Sequence, residues 1–286
     1  MKRMEDIKKI AVIGAGVMGR GIALVCVRAG FETILFDMGQ DMLDDAHGYL
    51  HDFFKKSVAK GKMSQEEMDA SMSRLSTTVF LETCVADLVI EAVPEKLSIK
   101  HSVFLSLEKV NAADTIFASN TSTIPITQIA GALAHPERVA GLHFFNPAPL
   151  MKLVEVIGGV DTDPVVLETL TRLSATLGKT PVQVSDEPGF IVNRVARQFY
   201  LESLRCVEEG VTSPEAVDRI MESTGFRMGP FRLMDLIGVE TNHAVSQSLY
   251  EAFFYAGKFR PSRLQQKMVD AGRWGKKSGR GFYDYR

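Results

Sequence analysis

A glycine-rich turn lies between two strand-like segments near the start of the chain, in the run KKIAVIGAGVMGRGIALVCVRAGFETILFD. The β-branched run Ile10 to Ile13 predicts a first strand, and Thr33 to Phe36 predict a second one. Between them a helix is predicted from about Met18 to Ala29, and Gly30 is expected to stop it. Two strands joined by a helix form a βαβ unit, so the pattern predicts a parallel sheet with a right-handed crossover.

The turn has the spacing GxGxxG, and an acid follows roughly 20 residues later at the end of the second strand, which is the context of a dinucleotide site. Gly14 permits the tight turn, Gly16 leaves room for a pyrophosphate, and Gly19 lets the helix pack closely on the strand. Asp37 would accept hydrogen bonds from the ribose hydroxyls and repel a 2′-phosphate, which predicts NAD rather than NADP. The alternative is a glycine-rich turn with a solvated aspartate. The cofactor-binding residues predicted in this segment are Gly14, Gly16, Val17, Met18, Gly19 and Asp37.

Further strand-like runs follow at intervals, separated by helical segments: ADLVIEAV, DTIFASN, RVAGLHFF, KLVEVI and TPVQVS. This alternation is typical of an α/β layered domain with a mostly parallel, Rossmann-type sheet. Residues from about 41 to 74 are polar and predicted to be helical. After SDEPG almost every segment predicts helix, so we expect a boundary near Pro188, with a Rossmann-type domain over 1–187 and an all-helical domain over 188–286.

The composition excludes several classes of protein. The chain has 286 residues, 45% of them hydrophobic, and a formal net charge of −2, which gives no overall case for binding nucleic acid or a membrane surface. Its three cysteines, Cys26, Cys84 and Cys206, have no metal-ligand spacing, so we expect a reducing, cytoplasmic location and no metal. The apolar run after the basic N-terminus is interrupted by glycines and Arg20, so a folded strand and helix explain it better than a signal peptide.

Two titratable residues stand in the otherwise apolar stretch HFFNPAPLMKLVEVI. Glu155 lies between Val154 and Val156, where strand alternation would point it into the protein, and a buried carboxylate needs a partner. If the chain reverses through NPAP, Glu155 meets His143, orients its imidazole and stabilises the protonated form. The alternative is a structural histidine with no catalytic role.

A second polar group follows the strand-like run IFASN: Thr121, Ser122 and Thr123 come directly after Asn120. Ligands bind at the carboxyl ends of parallel strands in open sheets, which favours a binding role. The alternative is that these residues form a turn and cap a helix.

Seven stretches carry a family resemblance: GAGVMG, IEAVPE, SNTS, HFFNPAPLMKLVEV, PGFIVNR, RMGPF and KKSGRGFYDY. With them the chain resembles the L-3-hydroxyacyl-CoA dehydrogenases over essentially its whole length, most of all the bacterial 3-hydroxybutyryl-CoA type. The resemblance implies NAD-dependent oxidation of short-chain L-3-hydroxyacyl-CoA to 3-ketoacyl-CoA, and the reverse. It also implies an acyl-CoA substrate and a homodimer formed through the helical domain.

The resemblance assigns the catalytic roles. His143 would take the proton of the 3-hydroxyl as hydride leaves C3, and Glu155 would hold the imidazole in place. Ser122 would hydrogen-bond the reacting oxygen, and Asn193 would contact the substrate from the helical domain. A polar residue on an ordinary helix is the alternative for Asn193.

The resemblance also extends the set of cofactor contacts. It places Glu95, Lys100, Asn120 and Ser122 near the nicotinamide ribose and adds Asn146 and Lys277. Solvated surface charge is the alternative for Lys100 and Lys277.

Some positions carry no assigned role or depart from the family. The lysines at 56, 60 and 62 suit the phosphates of coenzyme A, but none is assigned to them. Gly39 and Arg227 differ from the family pattern, and neither touches the acid–base group.

Two other functions remain open at this point. One is a dehydrogenase of a free hydroxy or sugar acid on the same fold, and the other is a non-catalytic NAD-binding protein. A comparison of turnover of the CoA thioester with turnover of the free acid distinguishes the two dehydrogenases. Absence of turnover would indicate the non-catalytic protein.

Overall fold

An eight-stranded sheet forms the core of the first of two units into which the chain divides, Met1–Glu187 and Pro188–Arg286. The structure is a computed structural model that describes all residues from Met1 to Arg286. The strands are β1 (Lys9–Ile13), β2 (Glu32–Phe36), β3 (Leu75–Thr78), β4 (Leu88–Glu91), β5 (Ile116–Ser119), β6 (Val139–Phe144), β7 (Leu153–Gly158) and β8 (Thr180–Ser185).

The strand order is β3-β2-β1-β4-β5-β6-β7-β8, and every neighbouring pair is parallel except β6 and β7. Strands β1, β2, β4, β5 and β6 therefore all end at one edge, which we call the carboxyl edge. The expectation of a mostly parallel α/β sheet is confirmed. The central strands are buried along nearly their whole length, as strands covered on both faces by helices must be.

Six helices belong to the first unit: α1 (Val17–Arg28), α2 (Gln40–Ala59), α3 (Gln65–Ser73), α4 (Leu97–Val110), α5 (Ile126–Ala130) and α6 (Pro164–Thr176). Helix α1 begins one residue before the predicted start and is followed by Gly30 at φ +98°, the left-handed conformation that ends a helix. Side chains from α1 pack on the sheet in one large apolar core that includes Ile22, Val25 and Leu142.

Strand β3 is the element that the sequence did not predict. Its residues LSTT contain a single apolar side chain, and the two central residues are exposed, because β3 lies at the edge of the sheet beside β2. The preceding polar stretch is helical, as expected, but it divides into α2 and α3. Ser64 caps α3 by accepting from the Glu67 amide at 3.1 Å, while the Glu67 side chain accepts from the Ser64 amide at 2.7 Å.

The second unit is helical, as the sequence predicts, with α7 (Val192–Glu208), α8 (Pro214–Ser223), α9 (Pro230–Ile237), α10 (Val239–Ala252) and α11 (Arg263–Asp270). Tyr200, Leu204, Phe231 and Met234 form its apolar cluster. The C-terminal segment is bound to this unit by Asp235, whose carboxylate accepts hydrogen bonds from the amides of Phe282 and Tyr283, both at 2.9 Å.

None of the helices combines the length and the apolar composition that crossing a membrane requires. All three cysteines carry free thiols. Cys26 is fully buried in α1, and burial raises the pKa of its thiol to about 12, so it is a packing residue and not a nucleophile.

Candidate active site

The glycine-rich turn is shaped by close backbone contacts at two of its three glycines. Gly14 adopts φ +103°, and a Cβ there would lie 2.7 Å from the carbonyl oxygen of Ala92. A Cβ on Gly19 would lie 1.7 Å from the carbonyl oxygen of Gly14, so only glycine allows α1 to approach β1 this closely. By contrast, a Cβ on Gly16 would meet nothing within 4 Å. Gly16 therefore faces open space at the start of α1.

That open space lies at the N-terminus of a twelve-residue helix whose N-cap, Gly16, makes no side-chain cap. The first amides of a helix have no partner within the helix, and the helix dipole favours negative charge beside them. Asp37 stands next to the turn and accepts hydrogen bonds from the amides of Ala15 at 2.8 Å and Gly39 at 3.2 Å. The residues therefore fit a dinucleotide, with its pyrophosphate at the helix and its ribose beside Asp37.

His143 and Glu155 are cross-strand neighbours. The antiparallel register of β6 and β7 pairs the two residues directly, and His143 Nδ1 lies 2.7 Å from Glu155 Oε2. His143 is 6% exposed and Glu155 is 1% exposed, so the carboxylate is buried with the imidazole as its partner. The two side chains meet as the alternation in KLVEVI predicts. Because Nδ1 bonds Glu155, Nε2 is the nitrogen through which the ring can exchange a proton with a ligand.

The turn between β6 and β7 is held from inside by Lys179. Its ammonium group donates to the carbonyl oxygens of Ala148 and, at 2.8 Å, of Met151. Phe145 covers the imidazole, with 4.4 Å between its ring centroid and that of His143. These contacts fix the chain reversal that brings Glu155 to the histidine.

Asn120 joins the ends of two strands beside the histidine. Its side-chain oxygen accepts the amide hydrogen of Phe144 at 2.8 Å, so the last residue of β6 is tied to the residue after β5. The resemblance predicts that Asn120 contacts the cofactor, and that contact stays a prediction.

Glu95 accepts hydrogen bonds from the polar turn that follows Asn120. Its Oε1 accepts from the Thr121 hydroxyl at 2.7 Å and from the amides of Ser122 and Thr123 at 2.9 and 3.0 Å. The hydroxyls of Ser122 and Thr123 donate to the same oxygen at 3.3 and 3.2 Å. Glu95 thus organises the turn that carries Ser122, and the sequence alone did not indicate this link.

Lys100 is a fully buried cation. The alternative of a solvated surface charge is wrong for this residue, because its side chain is only 1% exposed. Its Nζ lies 2.8 Å from Glu91 Oε1, 3.0 Å from Glu91 Oε2 and 3.1 Å from Glu95 Oε2. Glu91 was not among the expected site residues. Like Glu155, it is a carboxylate in an otherwise apolar, buried strand.

The remaining predicted residues are more dispersed. Asn146 is exposed two residues after the end of β6, and Val17 is 57% exposed at the start of α1. In the second unit Asn193 lies on α7, and Lys277 pairs with Glu240. Their contacts with substrate or cofactor stay predictions.

Two family models match nearly the whole chain. Residues 9–187 match the model described as 3-hydroxyacyl-CoA dehydrogenase, NAD binding domain, and residues 189–285 match the C-terminal domain of the same family. The chain belongs to the 3-hydroxyacyl-CoA dehydrogenase family. The family resemblance and the NAD cofactor expected from the sequence are thereby confirmed.

Three similar proteins illustrate the relationship. A probable 3-hydroxybutyryl-CoA dehydrogenase of Bacillus subtilis is 42% identical over 98% of this chain and 98% of its own length. The 3-hydroxyadipyl-CoA dehydrogenase of Escherichia coli is 45% identical over 99% of this chain, but the chain spans only 60% of that protein. The crystal structure of an (S)-3-hydroxybutyryl-CoA dehydrogenase from Ralstonia eutropha is 34% identical, with a TM-score of 0.95 over 98% of this chain and 99% of that one.

Proposed function

We propose that this protein oxidises L-3-hydroxyacyl-CoA thioesters to 3-ketoacyl-CoA with NAD, and catalyses the reverse reaction, with a preference for short acyl chains. The observation that carries the proposal is the buried pair of His143 Nδ1 and Glu155 Oε2, 2.7 Å apart. This pair lies at the carboxyl edge, the same edge of the sheet at which the glycine-rich turn follows β1.

In the oxidation direction His143 Nε2 accepts the proton of the substrate 3-hydroxyl. The Glu155 carboxylate at Nδ1 then faces an imidazolium and stabilises it, because a hydrogen bond between opposite charges in a buried site is stronger than one between neutral groups. Bound NAD supplies the hydride acceptor for C3. In the reduction direction the same imidazolium returns the proton to the oxygen.

Ser122 and Asn193 complete the proposed substrate contacts. The Ser122 turn is fixed by Glu95, which places a hydroxyl beside the carboxyl edge, where it can hydrogen-bond the reacting oxygen. Asn193 on α7 is proposed as a substrate contact from the family resemblance.

Acetoacetyl-CoA with NADH tests the proposal directly, because oxidation of NADH is followed by its absorbance. We expect wild-type turnover of the thioester and much slower turnover of free acetoacetate. His143→Ala should lower kcat by at least about 100-fold, the usual contribution of a positioned acid–base group, while NADH still binds. If the wild-type protein leaves NADH unchanged, the enzymatic function is wrong, and if free acetoacetate is preferred, the CoA substrate is wrong.

Glu155→Gln isolates the charge of the carboxylate, since glutamine keeps its shape. A hydrogen bond to a charged group contributes about 1.5–3 kcal/mol, so we expect kcat to fall by roughly 10- to 100-fold. The acidic limb of the oxidation rate should move to lower pH, because the imidazolium has lost its counter-charge. Full activity with an unchanged pH profile would rule out the role given to Glu155.

A homodimer formed through the helical unit is also proposed. That unit leaves many large apolar side chains exposed, among them Val195, Val211, Ile220, Leu236, Ile237, Phe254 and Tyr255. A small helical unit gains stability when such side chains are covered by a partner. The three free cysteines support the cytoplasmic location expected from the sequence.

A further inference from the structure

Glu91 is a buried carboxylate at the carboxyl edge that takes no part in the proton transfer described above. It is the last residue of β4 and lies between β1 and β5, with Ile13 and Ser119 as its register partners. Its side chain is 0% exposed, and its oxygens accept from the Val93 amide at 2.8 Å and the Ser119 hydroxyl at 2.6 Å. The sheet therefore fixes the position of this carboxylate.

Lys100 extends from α4 and places its ammonium group between two carboxylates. It bonds both oxygens of Glu91 at 2.8 and 3.0 Å and one oxygen of Glu95 at 3.1 Å. Burying an ion pair costs desolvation free energy, so such a pair gives little net stability compared with apolar side chains of the same volume. The pair therefore adds little to stability but holds two charges in defined positions at this edge.

Glu95 divides its two oxygens between Lys100 and the Ser122 turn. Oε2 faces the ammonium group, while Oε1 accepts from five donors on Thr121, Ser122 and Thr123. The Glu95 side chain is 35% exposed, whereas that of Lys100 is 1% exposed. A ligand at the carboxyl edge can therefore reach Glu95, and Lys100 lies behind it.

We propose that Glu91 and Lys100 are positioning residues, which fix the Glu95 carboxylate and through it the turn that presents Ser122 to the substrate. The proposal rests on the proposed function, because Ser122 has its assigned task only in that reaction. It also gives Lys100 a different part from the direct cofactor contact implied by the family resemblance.

A double-mutant cycle tests the link. The pair variant Glu91→Gln with Lys100→Met removes both buried charges together and so leaves neither one unpaired. We expect kcat for acetoacetyl-CoA to fall by roughly 10- to 100-fold, the loss that follows from misplacing a catalytic group by about 1 Å. Added to Ser122→Ala, the pair variant should lower kcat little further, because both changes remove the same contact. Lys109→Met, an exposed lysine in the last turn of α4, is the matched control and should leave kcat unchanged.

Additive losses in the cycle would overturn the proposal, since a purely structural role would lower the activity of both backgrounds by the same factor. A raised NADH dissociation constant combined with additive kcat losses would instead assign Lys100 to the cofactor. If the pair variant does not fold, Glu91→Gln alone keeps the shape and one acceptor and should give a smaller, equally non-additive loss.

Amide hydrogen exchange tests the same link without turnover. The pair variant should speed the exchange of the Ser122 and Thr123 amides, which bond Glu95 at 2.9 and 3.0 Å, and Lys109→Met should not. Unchanged protection of these amides in the pair variant contradicts the proposal, even if the wild-type protein is inactive with acetoacetyl-CoA. An inactive wild type contradicts only the proposed function.

Discussion

Three of the carboxylates at the carboxyl edge have three different kinds of partner. Glu155 bonds an imidazole, Glu91 bonds an ammonium group, and Asp37 accepts backbone amides. An imidazole can exchange a proton at its other nitrogen, whereas the Lys100 ammonium group is enclosed by Glu91 and Glu95 and is 1% exposed. We therefore expect acid–base chemistry at the Glu155 pair, and we expect Glu91 and Asp37 to fix the geometry of the polypeptide around them.

Asp37 carries a negative charge and also accepts a hydrogen bond from the Ala15 amide, and substitutions can separate these two properties. Asp37→Asn removes the charge but keeps an oxygen that can accept from Ala15, while Asp37→Ser removes both. We expect both variants to raise the ratio of kcat/KM with NADPH to that with NADH, by about tenfold, because the 2′-phosphate is no longer repelled. Asp37→Ser should also weaken NADH binding more than Asp37→Asn does. Steady-state kinetics with both cofactors measure this, and an unaltered ratio in both variants would remove Asp37 from cofactor selection.

Glu95 should make the free energy of unfolding depend on pH. Burial alone would raise its pKa, but Lys100, together with the Thr121 hydroxyl and the Ser122 amide, outweighs burial and holds the pKa below the ordinary value of 4.5. A lowered pKa in the folded state gives stability that is present above the ordinary value and is lost as the pH falls through the folded value. Glu95→Gln lacks this contribution, so its free energy of unfolding should differ from wild type most at neutral pH. Urea unfolding between about pH 7 and about pH 3.5 measures the difference, and a constant gap across that range would contradict the assignment.

The sequence indicated the His143–Glu155 pair but not the Glu91–Lys100 pair, although both carboxylates belong to buried strands. Glu155 follows His143 by 12 residues, a separation that allows the two to meet after a single reversal of the chain. The partner of Glu91 lies on the following helix, and a lysine on an amphipathic helix ordinarily reaches solvent. Nothing in the spacing shows that Lys100 points inward, because that depends on how α4 packs against the sheet.

At the scale of elements, the junction of β1 and α1 depends on glycines for two separate reasons. Gly19→Ala places a Cβ 1.7 Å from a backbone oxygen, so we expect it to lower the free energy of unfolding by about 1–3 kcal/mol and to weaken NADH binding. Gly16→Ala meets no atom within 4 Å, so stability should stay within about 0.5 kcal/mol of wild type. Its methyl group would lie where we expect the pyrophosphate to approach, so the NADH dissociation constant should rise by at least about tenfold.

Urea unfolding and fluorescence titration with NADH measure the two effects separately. Equal losses of stability in both variants would show that Gly16 is required by the fold and not by the cofactor.

The apolar strands and the first helix were predictable because burial on both faces leaves a continuous hydrophobic run in the sequence. Strand β3 was not, since LSTT at a sheet edge contains three polar residues and only one apolar residue, and so shows neither alternation nor an apolar run. The reversal of direction between β6 and β7 was predictable from the NPAP segment. The residue that holds this reversal from inside, Lys179, was not, because its two acceptors are backbone carbonyl oxygens, which any sequence provides.

At the scale of the whole molecule, the apolar surface of the helical unit predicts association. In the stretch LMDLIGV the side chain of Met234 is buried, while Leu236 and Ile237 are exposed. In LYEAFFYAG Leu249 is buried, while Phe254 is 92% exposed. Only some of the apolar side chains of this unit are therefore buried within one chain. We expect a partner to cover these exposed apolar side chains.

Sedimentation equilibrium at micromolar concentration tests this expectation. We expect a mass twice the 31.6 kDa of the chain, because covering the exposed side chains favours a symmetric pair. A monomer at that concentration would reject the dimer and leave the catalytic proposal untouched.

The cross-strand register of His143 and Glu155 also determines which insertions and deletions the enzyme tolerates. The two residues are paired by the strands, and the loop at 145–152 that joins these strands is itself fixed by the contacts of Lys179 with Ala148 and Met151. Losing a single residue within β7 after the loop would bring a valine to the imidazole and turn the glutamate to the opposite face of the sheet. Length variation among homologues should therefore be absent from β7 and from the loop that leads into it.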